Sequence, residues 1–367
     1  MTSDTRTDTD RSRTDGELAE QAVVPMPLVR AELPRWAPWG ILVASLVVVG
    51  GILAATGNFG IGLTLVLGAL LYAVVTYVVS RSVEGGRKAT DRVVTIVVNV
   101  AFLIALIPLI SVIVTVLQNG IARFDGAFFT NSMRGVVGEG GGGYHAIMGT
   151  LIITALAAAM SIPVGILTAV YLVEYGKGRL ARAITFFVDV MTGIPSIVAG
   201  LFAFAFFALF AGPGIRFGFG GAVALSILMI PVVVRSTEEM LKIVPNELRE
   251  AAYALGTPKW RTILKVVIPT SIAGIASGVT LAVARVIGET APLLIIAGLT
   301  TGVNLNPFSG RMTTLPVFAY NSYAAPGVPR EPFIDRAWTS ALVLIIIVLI
   351  LNLLARLVAT LFAPKTR

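Results

Sequence analysis

The 367-residue chain has no cysteine and a single histidine, His145. The first absence excludes disulfide scaffolds, thiolate metal sites and cysteine nucleophiles. The second excludes a histidine-rich metal site. Charge is also scarce: 13% of residues are charged against 56% hydrophobic, with mean hydropathy +0.87. Soluble domains carry about 25% charged residues, so this composition describes a polytopic membrane protein with little room for a separate soluble domain. No Gly-x-x-x-x-Gly-Lys-Ser/Thr sequence occurs, so the chain has no phosphate-binding loop of that type. The net charge of +8 is no sign of nucleic-acid binding here, because in a membrane protein the distribution of charge matters more than its sum.

What is present is a series of apolar runs. Residues 1–24 are rich in Thr, Asp and Arg without an apolar core, which predicts a disordered tail, not a cleaved signal peptide. Eight candidate spans follow, at residues 41–55, 59–79, 93–117, 146–173, 183–211, 222–234, 272–297 and 338–361. The expected fold is therefore an all-α membrane helical bundle. The first and sixth runs are short enough to tilt little, to extend into the interface or to be re-entrant. Lys and Arg concentrate in alternate connections, among them Arg81, Arg87, Lys88 and Arg92, then Lys177, Arg179 and Arg182, then Arg235 through Lys265. The opposite connections hold only Arg123, Arg134, Arg216, Arg311, Arg330 and Arg336. The positive-inside rule then puts both termini in the cytoplasm. Two outer loops are long, 118–144 and 298–337; they read as flexible connections, with an anion-binding backbone nest as the alternative for the glycine run Gly138 and Gly140–Gly143.

Arg285 and Glu289 interrupt the apolar run 272–297. About 20 helical residues cover the ~30 Å hydrocarbon core, and a charge at that depth costs at least ~3 kcal/mol. Residues four apart share a helix face. One reading is a structural ion pair. The other has Arg285 facing an aqueous path, where its planar five-donor fork suits an oxyanion, with Glu289 positioning it and Thr290 lining the same path. Elsewhere, Gly193, Pro195 and Ser196, with Thr192, read as a helix bend, and Gly193 and Gly200 as close-packing positions. Asp189 is expected to pair with Arg182 or face an inner vestibule; Glu174, Glu238 and Glu239 are expected to be solvated.

The connection 235–267 is patterned like structure. Pro245-Asn246 starts a helix, Glu247 to Leu255 are strong helix formers with acids in the first turn, and Gly256 stops it. Thr257-Pro258 opens a second helix, with Trp260, Ile263, Leu264 and Val267 on one apolar face. Pro269 marks the start of the next span.

Glu250-Ala251-Ala252-x-x-x-Gly256, followed by Val266-x-Ile268-Pro269, resembles the EAA loop of ATP-binding-cassette importer permeases. Gly193-Ile194-Pro195-Ser196-Ile197-Val198-Ala199-Gly200 and Arg285-Val286-Ile287-Gly288-Glu289-Thr290-Ala291-Pro292-Leu293-Leu294 look like motifs of the PstA-type permeases of phosphate importers. The resemblance implies a type I importer permease fold of six core spans over residues 93–367, with a coupling loop at 235–268. Residues 1–35 remain as a cytoplasmic tail and 36–92 as an additional transmembrane hairpin. It further implies a non-catalytic subunit that passes phosphate near Arg285, Glu289 and Thr290. Glu250, Ala251, Ala252 and Gly256 would meet the ATPase; Gly193, Pro195, Ser196, Gly200, Pro269 and Pro292 would serve packing and bends. Expected partners are a paralogous PstC permease, two PstB-type ATPases that hold the ATP and magnesium, an external PstS phosphate-binding protein and membrane lipid. No metal or cofactor is expected on this chain. The expected location is the bacterial plasma membrane. Sulfate or molybdate transport, or an ion-coupled secondary transporter, are the alternatives.

Overall fold

The structure, a computed structural model, describes residues 32–362; the tail reading therefore falls, except for residues 32–35, outside the described residues. The helices in chain order are α1 (Ala37–Ala55), α2 (Ile61–Val83), α3 (Gly86–Gly120), α4 (Gly126–Thr130), α5 (Tyr144–Val170), α6 (Gly178–Thr192), α7 (Ser196–Ala211), α8 (Gly218–Ile243), α9 (Asn246–Ala254), α10 (Lys259–Thr262), α11 (Ile268–Val286), α12 (Ala291–Ile296), α13 (Leu315–Ala324) and α14 (Glu331–Phe362). Wide turns at Tyr171–Tyr175 and Ile263–Val267 extend α5 and join α10 to α11. The chain divides into two compact units, Met1–Ser111 and Val112–Arg367, and the division falls inside α3.

In the first unit α1 and α2 pack against each other, closely enough that a Cβ on Gly68 would lie 2.6 Å from Leu46. The end of α2 is fixed by Glu84. Its buried carboxylate accepts two 2.7 Å hydrogen bonds from Arg92, one of 2.7 Å from Ser80 and one of 2.8 Å from the Leu33 amide. Arg92 above all draws its pKa down to about 2. A depressed carboxylate stabilises the fold above its ordinary pKa near 4.5 and loses that contribution only as pH falls toward 2, so this clamp is fully ionised at neutral pH.

The second unit is built around α8. Among the candidate spans it is the most buried, with Leu225, Met229 and Val233 inside a core shared with α5, α11 and α12. Small residues allow this close approach: a Cβ on Gly165 would lie 2.6 Å from Val233, and one on Gly278 2.4 Å from Ser236. Of the alternatives for the short run 222–234, extension is the one found: the run continues as helix at both ends, and the re-entrant reading is corrected. The helix has 26 residues, because its charged end is neutralised along its own face: Glu238 pairs with Arg235 at 2.8 Å and with Lys242 at 2.7 Å. The expectation of a solvated Glu238 fails for the same reason, while Glu239 is exposed.

Among the described residues, seven helices are long and apolar enough to cross a membrane, or eight if the bent pair α6–α7 is one crossing. That matches the expected all-α bundle. The run 183–211 is not straight, however; its halves meet at 109°. Pro195, at φ −58° and ψ 136°, has no amide hydrogen to continue α6, so the Gly193–Pro195 stretch turns the chain.

Candidate translocation site and coupling loop

A second break lies where Arg285 and Glu289 fall. Helix α11 ends at Val286, Ile287 and Gly288 form a turn, and Glu289 and Thr290 are outside any helix before α12 begins at Ala291. Pro292 explains the break: a proline ring clashes with the carbonyl four residues back and cannot donate to it, which here is Gly288. The expectation that Arg285 and Glu289 share one helix face is therefore overturned, since that spacing stacks side chains only on an unbroken helix. Nor do the two form an ion pair. Among the described residues neither side chain has a hydrogen-bond or ionic partner, and Arg285 is exposed while Glu289 and Thr290 are half-buried. Buried Val286 and Ile287 anchor the turn directly beneath them. Arg285 sits in the last turn of α11, where the helix dipole favours a cation.

The two breaks are packed together. Gly200 on α7 lies against Pro292 so closely that a Cβ would fall 2.5 Å from the Pro292 Cα. Gly200 and Pro292 thus form one contact, whereas Gly193 meets nothing closer than the Val190 carbonyl at 3.6 Å. Ser196 is half-buried at the start of α7, and Pro269 lies in the first turn of α11. Overpacking of this kind costs ~1–3 kcal/mol. Gly200→Val is expected to lower the thermal midpoint of the purified protein, whereas Gly193→Ala leaves it unchanged.

The connection 235–268 has its own tether. Helix α9 is capped at its C-terminus by Leu255, and Gly256 has φ +72°; the Gly256 amide donates to Tyr253 O at 2.9 Å and the Thr257 amide to Ala252 O at 3.1 Å. This is a Schellman stop, which requires glycine for its left-handed residue. Pro245 and Pro258 occupy the N-cap positions of α9 and α10. The apolar face of the second helix is divided, with Ile263 and Val267 buried and Trp260 and Leu264 exposed. Glu250, Ala251 and Gly256 are exposed and Ala252 half-buried.

Arg249 ties this loop to two spans. It donates to Glu174 at 3.0 Å, to Leu241 O at 3.0 Å and to Val244 O at 2.6 Å, closing the carbonyl end of α8. Lys259 donates to the Glu174 carbonyl and stands over the Tyr175 ring. Glu174 is therefore buried, not solvated as its position at a span end implied: only 8% of it is exposed. Asp189 pairs with Arg235 instead of Arg182. Sequence reasoning offered no signal for Arg249 or Glu174 as partners, because 75 residues separate them.

On the opposite side, the glycine run is neither a loose connection nor an anion nest. Fully buried Arg336 donates to the Gly138 and Gly140 carbonyls at 2.8 and 2.9 Å, and Arg123 to the Gly141 carbonyl at 3.0 Å. Carbonyls turned toward two cations are the reverse of an amide nest. The other long loop is also built, with Thr313 hydrogen-bonded to Thr300 at 2.6 and 2.9 Å.

A bundle of apolar helices broken at two packed points, carrying an unpaired arginine at one break and a tethered helix–turn–helix loop between two spans, defines a membrane permease. Residues 161–367 match the model of the binding-protein-dependent transport system inner membrane component family. The phosphate transport system permease protein PstA 1 of Mycobacterium tuberculosis is 45% identical over 284 residues, covering 77% of this chain and 92% of that one. The PstA proteins of Mycobacterium leprae and Yersinia pestis are 47% and 36% identical, covering 75% and 78% of this chain and 90% and 94% of theirs. The chain belongs to the PstA family of binding-protein-dependent permeases. Its fold resembles a chain of the bacterial alginate ABC transporter crystallised with an alginate pentasaccharide-bound periplasmic protein, with TM-score 0.51, 15% identity and coverage of 74% of this chain and 96% of that one.

Proposed function

We propose that this chain is the permease subunit of an ATP-driven inorganic phosphate importer and forms half of its translocation pathway. The observation that carries this reading is the unpaired Arg285 guanidinium at the broken span of a PstA-family chain. A charged donor fork without a carboxylate partner, in an otherwise apolar segment, suits a transient anion. Glu289, half-buried nearby, can accept the proton of hydrogen phosphate, a bond that sulfate cannot form, and Thr290 adds a hydroxyl. In this reading a paralogous PstC-type permease supplies the other half of the path. Two PstB-type subunits hold ATP and magnesium, and a PstS-type protein delivers phosphate from outside. The excess of Lys and Arg in the coupling-loop connections supports a plasma-membrane protein with both termini cytoplasmic.

Coupling runs through α9. The surface of Glu250, Ala251 and Gly256, with Leu255 beside it, is exposed among the described residues and is available to meet the ATPase. Glu250→Lys is expected to leave the fold intact, because that exposed carboxylate has no hydrogen-bond or ionic partner among the described residues, and to reduce ATPase association and phosphate uptake together. Normal association and uptake in this variant would remove the coupling assignment. For the transport reading itself, labelled phosphate uptake by the assembled complex is expected to stop on ATP depletion and to survive an uncoupler. Uptake is also expected to resist competition by sulfate and molybdate. Collapse with the uncoupler alone would point to a secondary transporter.

A further inference from the structure

At the far end of α5 from the coupling loop, ~43 Å from Glu174 at ~1.5 Å per helical residue, lies a cavity of about 550 Å³ whose polar lining is His145, Thr300, Thr301, Arg311, Asn321 and Ser322. We propose that this cavity is an outer receiving site for a tetrahedral oxyanion, occupied before the anion reaches Arg285. The proposal rests on the phosphate-import reading and deepens it.

Three observations point to a ligand. First, His145 is 2% exposed, its ring is held edge-on against Phe318 with centroids 5.0 Å apart, and its Nδ1 has no hydrogen-bond partner. An unmade hydrogen bond on a buried polar atom is costly enough to call for a partner, and a neutral imidazole can offer an N–H there. Second, the remaining donors are uncommitted: the side chains of Thr301, Asn321 and Ser322 make no hydrogen bonds among the described residues, and the Thr300 hydroxyl only accepts, from the Gly302 amide at 3.3 Å. Third, the charge is of one sign. No carboxylate lines the cavity. The stems of Arg216 and Arg311 both lie against Gly298, which has φ +76°: a Cβ there would fall 3.0 Å from Arg216 Cδ and 3.4 Å from Arg311 Cδ. Both arginines are exposed, and neither is ion-paired among the described residues.

Positive charge on two neighbouring arginine stems, of which Arg311 lines the cavity, concentrates anions in a cleft. They stand on the side where the positive-inside rule disfavours Arg. Hydroxyl, amide and imidazole donors inside the cleft can reach several faces of a tetrahedral anion. A water takes up ~30 Å³, so the cavity has room for such an anion with part of its hydration shell. Along the chain, α12 and Ala297 lie between the break that follows Arg285 and Gly298, which precedes the cavity-lining Leu299 and Thr300.

The test is arginine labelling with a dicarbonyl reagent in the purified, assembled transporter, read residue by residue by peptide mass spectrometry. Inorganic phosphate is expected to slow labelling of Arg311 severalfold relative to chloride at equal ionic strength, without protecting exposed Arg179 on the coupling-loop side. Protection is expected to persist in Arg285→Ala, which separates the two sites, and to weaken in His145→Ala and in the gentler Ser322→Ala. Equal labelling in phosphate and chloride, by a wild-type complex that imports labelled phosphate, would overturn the receiving site and leave the import reading intact. Loss of protection in Arg285→Ala would overturn it as a separate site. A wild-type complex that imports no phosphate would overturn the import reading and this proposal together.

Discussion

Arg285→Ala is expected to abolish phosphate uptake while the assembled complex is recovered in normal amount. The side chain is exposed and has no hydrogen-bond or ionic partner among the described residues, so its removal strands no buried partner there and leaves no cavity in the core. The loss falls on the anion. Removing one member of a desolvated charged contact costs ~2–5 kcal/mol, which is a decline of at least roughly 30-fold. Arg285→Lys keeps the charge but replaces the planar fork by a point donor, and is expected to recover only a small part of the rate. Uptake of labelled phosphate into proteoliposomes, normalised to complex recovered, measures both. Normal transport by Arg285→Ala would remove Arg285 from the path.

Arg249→Ala is expected to separate ATP hydrolysis from transport. Arg249 joins α9 to the end of α5 through Glu174 and to the end of α8 through the Leu241 and Val244 carbonyls. A push delivered to α9 therefore reaches two spans through one side chain. Its removal leaves the Glu174 carboxylate buried without its cation, a change that costs ~3–5 kcal/mol. Basal ATPase activity is expected to persist, whereas stimulation by loaded binding protein and phosphate uptake both fall. Adding Glu174→Gln to Arg249→Ala takes away the stranded charge and is expected to restore protein yield but not coupling. Such non-additivity is what two residues in one contact produce. Restored coupling in the double variant would reduce the tether to a stability element.

Much of this was legible from residues alone. Scarce charge and long apolar runs identified a membrane helical bundle. The glycine at 256 marked the turn of the coupling loop, because a left-handed residue there excludes most side chains. Pro195 marked a bend, because a proline cannot extend α6. The extent of the sixth span was hidden because Arg235, Glu238 and Lys242 read as a solvated end when taken singly, and as a continuous helix once they neutralise one another. Glu174 and Arg249 were hidden for a related reason: nothing local distinguishes a solvated charge from one that meets its partner 75 residues away.

Arg285 and Glu289 divide along the same line. Their type and position, two ionisable groups in an apolar run, followed from the sequence by the cost of charge in hydrocarbon. Their relation to each other did not. Local spacing implied a shared face, but Pro292 ends the helix between them and Gly200 packs against that proline. The sequence by itself determined a PstA-like permease with a charged site in its seventh apolar run and a coupling loop before it. Only the tertiary structure decided that the site is a break between helices with an unpaired arginine, because that outcome depends on contacts between distant segments.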